Sequence, residues 1–139
     1  QANQVKTATN GLLEAMDIAR SKAVSTNKRV TVKKLDDWNN GWEIFIDRNN
    51  DGQLNNDETV ILHREKLAGV RISVNGPLRN NVSYVGSGES RLAGGNDGGG
   101  FQAGTFVICP LTKGEGYQLI LARGGRVRST KISVEECEP

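Results

Sequence analysis

The chain reads as an α+β domain in which one long N-terminal helix lies on antiparallel β-sheet. Three observations predict this. Within Gln1 to Asn27, Val5, Ala8, Leu12, Met16, Ala19 and Ala23 recur at spacings of three and four, the period of a helix with one apolar stripe. From Arg29 onward the period drops to two, in short apolar runs broken by Gly, Asn and Asp. At 139 residues the length suits a single domain large enough to bury its own core. The expected organisation is a helix over 1–27 and a β-rich head over 28–139.

The helical stripe is narrow and rich in small residues, which suits close packing on a sheet. The opposite face carries Lys6, Asn10, Glu14, Asp17 and Lys22 and is expected to be wet. Gly11, beside Thr7, Thr9 and Asn10, costs the helix about 1 kcal/mol relative to alanine. Such a segment needs packing, or helix continuing upstream, to hold it. Because the chain also begins at Gln rather than Met, the expectation is the C-terminal half of a longer helix, with a surface helix that starts here as the alternative.

Arg29 to Lys34 alternates Val30 and Val32 with polar neighbours, as a half-buried strand does, and Trp42 to Ile46 returns after a turn through Asp36, Asp37, Asn39, Asn40 and Gly41. The two runs predict an antiparallel hairpin. Asp47 to Glu58 is an acidic loop. Thr59 to His63, Val70 to Val74 and Val82 to Val85 are further strands, the second ended by Gly76-Pro77. Gly86 to Gly100 has almost no apolar content and is expected to be a mobile surface loop that does not pack. Thr105 to Cys109 is an apolar strand, and Tyr117 to Ala122 and Val127 to Ile132 flank a hairpin turn at Gly124-Gly125.

Aromatics are only 5% of the chain and Gly is 17 of its residues, so the core must be aliphatic and the turns many. Net charge is +2, which argues against wholesale nucleic-acid binding, but its placement is uneven. Residues 1–34 hold seven basic and two acidic side chains, 36–58 one basic and seven acidic, and 113–131 five basic and one acidic. Local fields of opposite sign therefore matter more than the total. No apolar run is long enough to cross a bilayer. Cys109 and Cys137 fit a single disulfide, hence an oxidising compartment, or else two buried thiols; Cys137 lies among Glu135, Glu136 and Glu138, a poor address for a buried thiol, and the disulfide is expected.

Two stretches have the chemistry of a binding site. Asp47 to Glu58 fits the twelve-residue calcium-loop pattern: Asp47, Asn49, Asp51 and Glu58 at positions one, three, five and twelve, Gly52 at six, the Gln53 carbonyl at seven and Asn55 at nine. Its flanks read as strands rather than the helices of a calcium hand, so an Asx-rich turn is the competing reading. Solvation in such a loop is expected to leave the carboxylate pKa values near normal. The second stretch is Arg123, Arg126, Arg128 and Lys131 around the Gly124-Gly125 turn. Arg126 and Arg128 would share one strand face, a plausible backbone-contact patch for DNA, against a solvated hairpin face as the alternative. Catalysis finds little support: the single histidine, His63, is expected on a strand surface, and no Ser or Cys has a recognisable base beside it. Gly98-Gly99-Gly100 precedes a strand, so it is not a phosphate-cradling loop.

The order of landmarks resembles a type IV minor pilin of the GspH/FimT/FimU type. The residues are Ala19-Arg20-Ser21-Lys22-Ala23, Val30-Thr31-Val32, Gly41-Trp42 leading into Ile44-Phe45-Ile46-Asp47, Asn50-Asp51-Gly52, Asp57-Glu58, Phe101, Gly104-Thr105-Phe106, Cys109 and Gly125-Arg126-Val127-Arg128. The resemblance spans nearly the whole chain. It implies no enzyme, but a prepilin cleaved and methylated at its N-terminus, held in the inner membrane of a Gram-negative cell by a hydrophobic helix absent from this sequence. It then implies packing into a filament through that helix, with Leu12, Met16, Ala19 and Ala23 in the filament-packing element. Members of the FimU kind, which this chain most resembles, join other minor pilins and the major pilin, prime pilus assembly and sit near the tip of filaments used in twitching motility. Members of the FimT kind are linked to DNA uptake through a Gly-Arg-x-Arg motif, matched here by Gly125 to Arg128.

Overall fold

The computed structural model describes residues 2–55, 58–92, 100–122 and 124–137. Helix α1 spans Ala2–Thr26 and buries Val5, Ala8, Thr9, Leu12, Ala15, Met16, Ala19 and Ala23, which is the stripe the period predicts with two neighbours added. Thr9 is tolerated there because its hydroxyl donates to the Val5 carbonyl at 2.8 Å. The helix ends where Asn27 turns left-handed at φ 53° and Lys28 N–H reaches the Ala23 carbonyl, a Schellman closure that meets a carbonyl left free by the last turn.

The described residues form two four-stranded antiparallel sheets. The first contains β1 (Val30–Lys34), β2 (Trp42–Ile46), β3 (Val60–Arg64) and β5 (Asn81–Tyr84) in the order β3-β2-β1-β5. The second contains β4 (Val70–Val74), β6 (Gly104–Pro110), β7 (Gly116–Leu121) and β8 (Val127–Ile132) in the order β4-β6-β7-β8. Both predicted hairpins are present, with Val32 opposite Ile44 in β1–β2 and Leu119 opposite Ser129 in β7–β8. A short helix, α2 (Val134–Cys137), follows β8.

Helix α1 lies across the seam, touching β1, β2 and β5 of one sheet and β4, β6 and β7 of the other. One continuous core results, built from the helical stripe, Val30, Val32, Trp42, Ile44 and Val82 from the first sheet, and Phe106, Ile108, Leu119 and Leu121 from the second. Trp38, in the turn between β1 and β2, completes the seam: it is buried, donates its indole N–H to the Leu78 carbonyl at 3.1 Å, and meets Phe106 edge-on at 5.0 Å.

Three expectations are corrected. The core is not only aliphatic, because Trp38, Trp42, Tyr84 and Phe106 are buried in it. Strand β1 is buried on both faces, because Thr31, Phe45 and Ser83 on the side away from the helix are covered as well. The cover includes part of the segment expected not to pack: Ser90 is fully buried and bridges to Tyr84, while Arg91 stacks over the Phe101 ring at 4.1 Å. Its glycines 94, 95, 98 and 99 lie outside the described residues.

The polar atoms under this cover are closely paired. Ser83 N–H donates to Gln102 Oε1 at 2.8 Å, Gln102 Nε2 donates to the Pro77 and Asn81 carbonyls, and the Ser90 hydroxyl donates to the Gln102 carbonyl. Thr31 Oγ1 lies 2.9 Å from Ser83 Oγ and donates to Asp47 Oδ2 at 3.1 Å. Fully satisfied, such a network lets polar residues occupy buried positions.

Candidate functional site

The long helix presents two different surfaces. Leu12, Met16, Ala19 and Ala23, expected in filament packing, are buried against the chain's own sheets. The stripe is therefore part of the head, because without it the two sheets would expose their inner faces along the seam. The opposite side of the helix is exposed, at Lys6, Asn10, Glu14, Asp17, Ser21, Lys22 and Val24. Among the described residues, no helix is long and apolar enough to cross a membrane.

The acidic loop runs from the end of β2 to the start of β3, between strands as its flanks predicted. Two of its carboxylates are not freely solvated, contrary to expectation: Asp47 is 2% exposed and Glu58 9%, whereas Asp51 is exposed. Asp47 Oδ2 accepts from Gly52 N–H at 2.9 Å and Oδ1 from Asp51 N–H at 3.3 Å. Glu58 Oε2 accepts from Arg48 N–H at 2.7 Å and Oε1 from Asn55 N–H at 2.8 Å. Burial pushes the Asp47 carboxyl above its ordinary pKa, with the Glu58 charge adding to the rise, while the bonds from Gly52, Thr31 and Asp51 oppose it. One carboxylate oxygen from each of Asp47, Asp51 and Glu58 falls within 4.8 Å of the others. Asn49 Nδ2 donates to Asp51 Oδ2 at 3.1 Å, and Gln53 N–H to Asp51 Oδ1 at 2.9 Å.

The basic hairpin is less concerted than its sequence suggests. Arg126 sits at the turn and lines a cleft of about 250 Å³ with Asp17, Arg20 and Tyr84, between α1 and the hairpin. Gly125, at φ +90°, is packed so closely that a Cβ there would stand 2.0 Å from the Gly88 carbonyl oxygen, the group that accepts the Arg20 Nε bond at 2.9 Å. Arg128 is exposed on β8, opposite Ile120. Lys131 is exposed and pairs with Glu115 at 3.1 Å, which raises its pKa. Arg123 lies outside the described residues. His63 is on the exposed face of β3, with Nδ1 3.1 Å from Glu43 Oε2 and Nε2 3.8 Å from Glu65 Oε2.

Cys109 in β6 and Cys137 in α2 form the expected disulfide, with Cα atoms 5.7 Å apart. Arg71 on β4 reinforces it by donating to the Cys137 carbonyl. Gly116 makes room for it, since a Cβ there would stand 2.5 Å from Cys137 Sγ and 2.3 Å from the Ile108 carbonyl oxygen.

A long N-terminal helix laid on antiparallel sheets, with a disulfide-tethered C-terminus, defines a pilin-like head. Residues 8–125 match the family described as Type II transport protein GspH, and the chain belongs to that family. Its fold is similar to that of the Pseudomonas aeruginosa PAO1 type IV minor pilin FimU, at 19% identity and a TM-score of 0.71, over 93% of this chain and 90% of that one. A second crystal form of FimU gives 19% identity and a TM-score of 0.68, over 90% of this chain and 91% of that one. At this identity the likeness is one of fold. No curated protein matches the sequence.

Proposed function

We propose that this protein is a minor pilin of the bacterial cell envelope that takes part in priming type IV pilus assembly and is incorporated near the tip, its head contacting other minor pilins and the major pilin. The observation that carries the reading is the division of α1. Its inner stripe belongs to the head's core, while its outer side stays exposed along the length of the helix, as a subunit packed beside others through that side requires. The membership in the GspH family and the FimU-like fold support it. The test is capture of the purified head by the heads of other minor pilins. Retention that weakens when Asp17 and Lys22 are replaced by residues of opposite charge is expected, and failure to bind any minor or major pilin head would overturn the reading.

DNA capture through Gly125 to Arg128 is the competing proposal. It is favoured by the exposed Arg128 and opposed by the pairing of Lys131 with Glu115 and by the carboxylate of Asp17, which lines the same cleft as Arg126. It predicts a gel shift that weakens steeply with salt and disappears in the Arg126→Ala, Arg128→Ala double variant. A shift that survives both changes would remove it.

A further inference from the structure

We propose that the loop from Asp47 to Glu58 binds one calcium ion, held by side-chain oxygens of Asp47, Asn49, Asp51, Asn55 and Glu58 and by the Gln53 carbonyl. These residues stand at positions one, three, five, nine, twelve and seven of a twelve-residue loop whose sixth residue, Gly52, has φ +72°. The fold brings the charged members together in space. Three oxygens bound to one ion at about 2.3–2.6 Å can be no further apart than twice that distance, and those of Asp47, Asp51 and Glu58 lie within 4.8 Å of one another.

Two further observations, separate from the spacing, call for a cation. The first is charge. Glu58 is only 9% exposed and faces the buried Asp47, yet no basic side chain among the described residues pairs with it. Its partners are the backbone N–H groups of Arg48 and Asn55. Two buried carboxylates side by side repel; the Arg29 guanidinium offsets part of the Asp47 charge, but Glu58 has no such partner among the described residues, and a buried charge without a counter-ion is costly. A divalent cation between them removes both penalties.

The second observation is the end of the Asn55 amide that points into the cluster. It stands 3.1 Å from Glu58 Oε1, 3.2 Å from the Gln53 carbonyl, 3.2 Å from Asn49 Oδ1, 2.9 Å from Asn49 Nδ2 and 3.3 Å from Asp51 Oδ2. With nitrogen at that end, the amide shares its two protons among four oxygens. With oxygen there, rotation of the Asn49 amide leaves a shell of oxygens with no proton between them, the arrangement that a hard cation satisfies. Flexible, mixed carboxylate and carbonyl ligands of this number suit calcium; magnesium demands a tighter octahedron and keeps most of its water.

The loop is tied to the sheet at its first ligand, since Asp47 Oδ2 accepts the Thr31 hydroxyl from β1. Ion binding is therefore expected to stabilise the head as a whole. The experiment uses the full chain, stripped with chelator and dialysed, and titrated by calorimetry with calcium chloride and separately with magnesium chloride. One calcium per chain is expected, with the melting temperature about 5 °C or more higher when the ion is in hundredfold excess over its dissociation constant. Asp51→Asn removes the charge of an exposed ligand outside the sheets; it should fold as before and bind calcium at least about tenfold more weakly. Glu58→Gln should abolish binding. The proposal is overturned if the wild type shows neither heat nor a shifted melt at about 5 mM calcium, several times the roughly 1 mM dissociation constant of the weakest extracellular calcium modules. It is equally overturned if Asp51→Asn responds as the wild type does, or if magnesium reproduces the full shift.

Discussion

The two sheets share one core through their inner faces but protect their outer faces by different means. Behind the β3-β2-β1-β5 sheet, the outward residues Thr31 and Ser83 are polar and buried, and they are sealed by loops through hydrogen bonds to Asp47, Arg29 and Gln102. Behind the β4-β6-β7-β8 sheet there is a small apolar cluster of Cys109, Ile132 and Cys137 with Val107, closed by the disulfide, and most of β8 is left exposed. Beyond the shared core, the outer face of the first sheet is thus closed by hydrogen bonds around the buried Phe45, and that of the second by a covalent tether. The difference teaches that strands with similar alternation can end up half-buried or fully buried, depending on what the loops bring over them.

Opening the tether should have the largest effect. In the chain-entropy treatment, a disulfide between cysteines 28 positions apart stabilises the head by about 3–4 kcal/mol. Replacing both cysteines by serine is expected to lower the melting temperature by roughly 10 °C, and a melt unchanged by reductant would show that the second sheet does not depend on its tether. Next comes Gln102→Ala, which leaves Ser83 N–H and the Pro77 and Asn81 carbonyls without their partner under the first sheet. A loss of about 2–3 kcal/mol in denaturant unfolding is expected. A loss below about 0.5 kcal/mol would mean that water replaces the amide and that the cover is loose.

The smallest effect is one of pH and belongs to the first sheet alone. Because the folded Asp47 carboxyl has a raised pKa, the folded state holds its proton more tightly than the unfolded chain. Asp47 therefore contributes most stability below the unfolded value near 4, and that contribution is lost as pH rises through the folded value. In metal-free buffer, wild type should lose stability relative to Asp47→Asn over that window. Bound calcium favours the carboxylate, so it should reverse the slope. An identical pH dependence in both proteins would contradict the burial of this carboxylate.

Much of the fold was legible in the residues. The stripe from Val5 to Ala23 announces the helix and its buried side, and Val30-Val32, Trp42 to Ile46, Phe106-Ile108 and Leu119-Leu121 mark strands that the structure places within a residue or two of their predicted ends. The disulfide and the composition of the oxygen-rich loop could also be read directly. The burial of Asp47 could not, because an acidic loop between strands looks solvated until one knows that Thr31 lies behind it. Trp38 was hidden in a run of turn formers, and its role depends on Phe106, far away in the chain. The packed part of Gly86 to Gly100 carries few apolar residues; its position comes from hydrogen bonds made by Ser90 and from the Arg91–Phe101 contact, neither of which has a periodic signature.

By itself the sequence determined which side of each element is apolar, where the chain turns and which cysteines can meet, since all of these follow from the side-chain period and from residue types at neighbouring positions. Tertiary structure alone decided that β1 pairs with β5 and β4 with β6, and that the oxygens of the Asp47 to Glu58 loop converge over a buried carboxylate. The physical reason is that amphipathicity is local, whereas what covers a polar face, and what dielectric a carboxylate meets, depend on segments brought together only when the two sheets close on the helix.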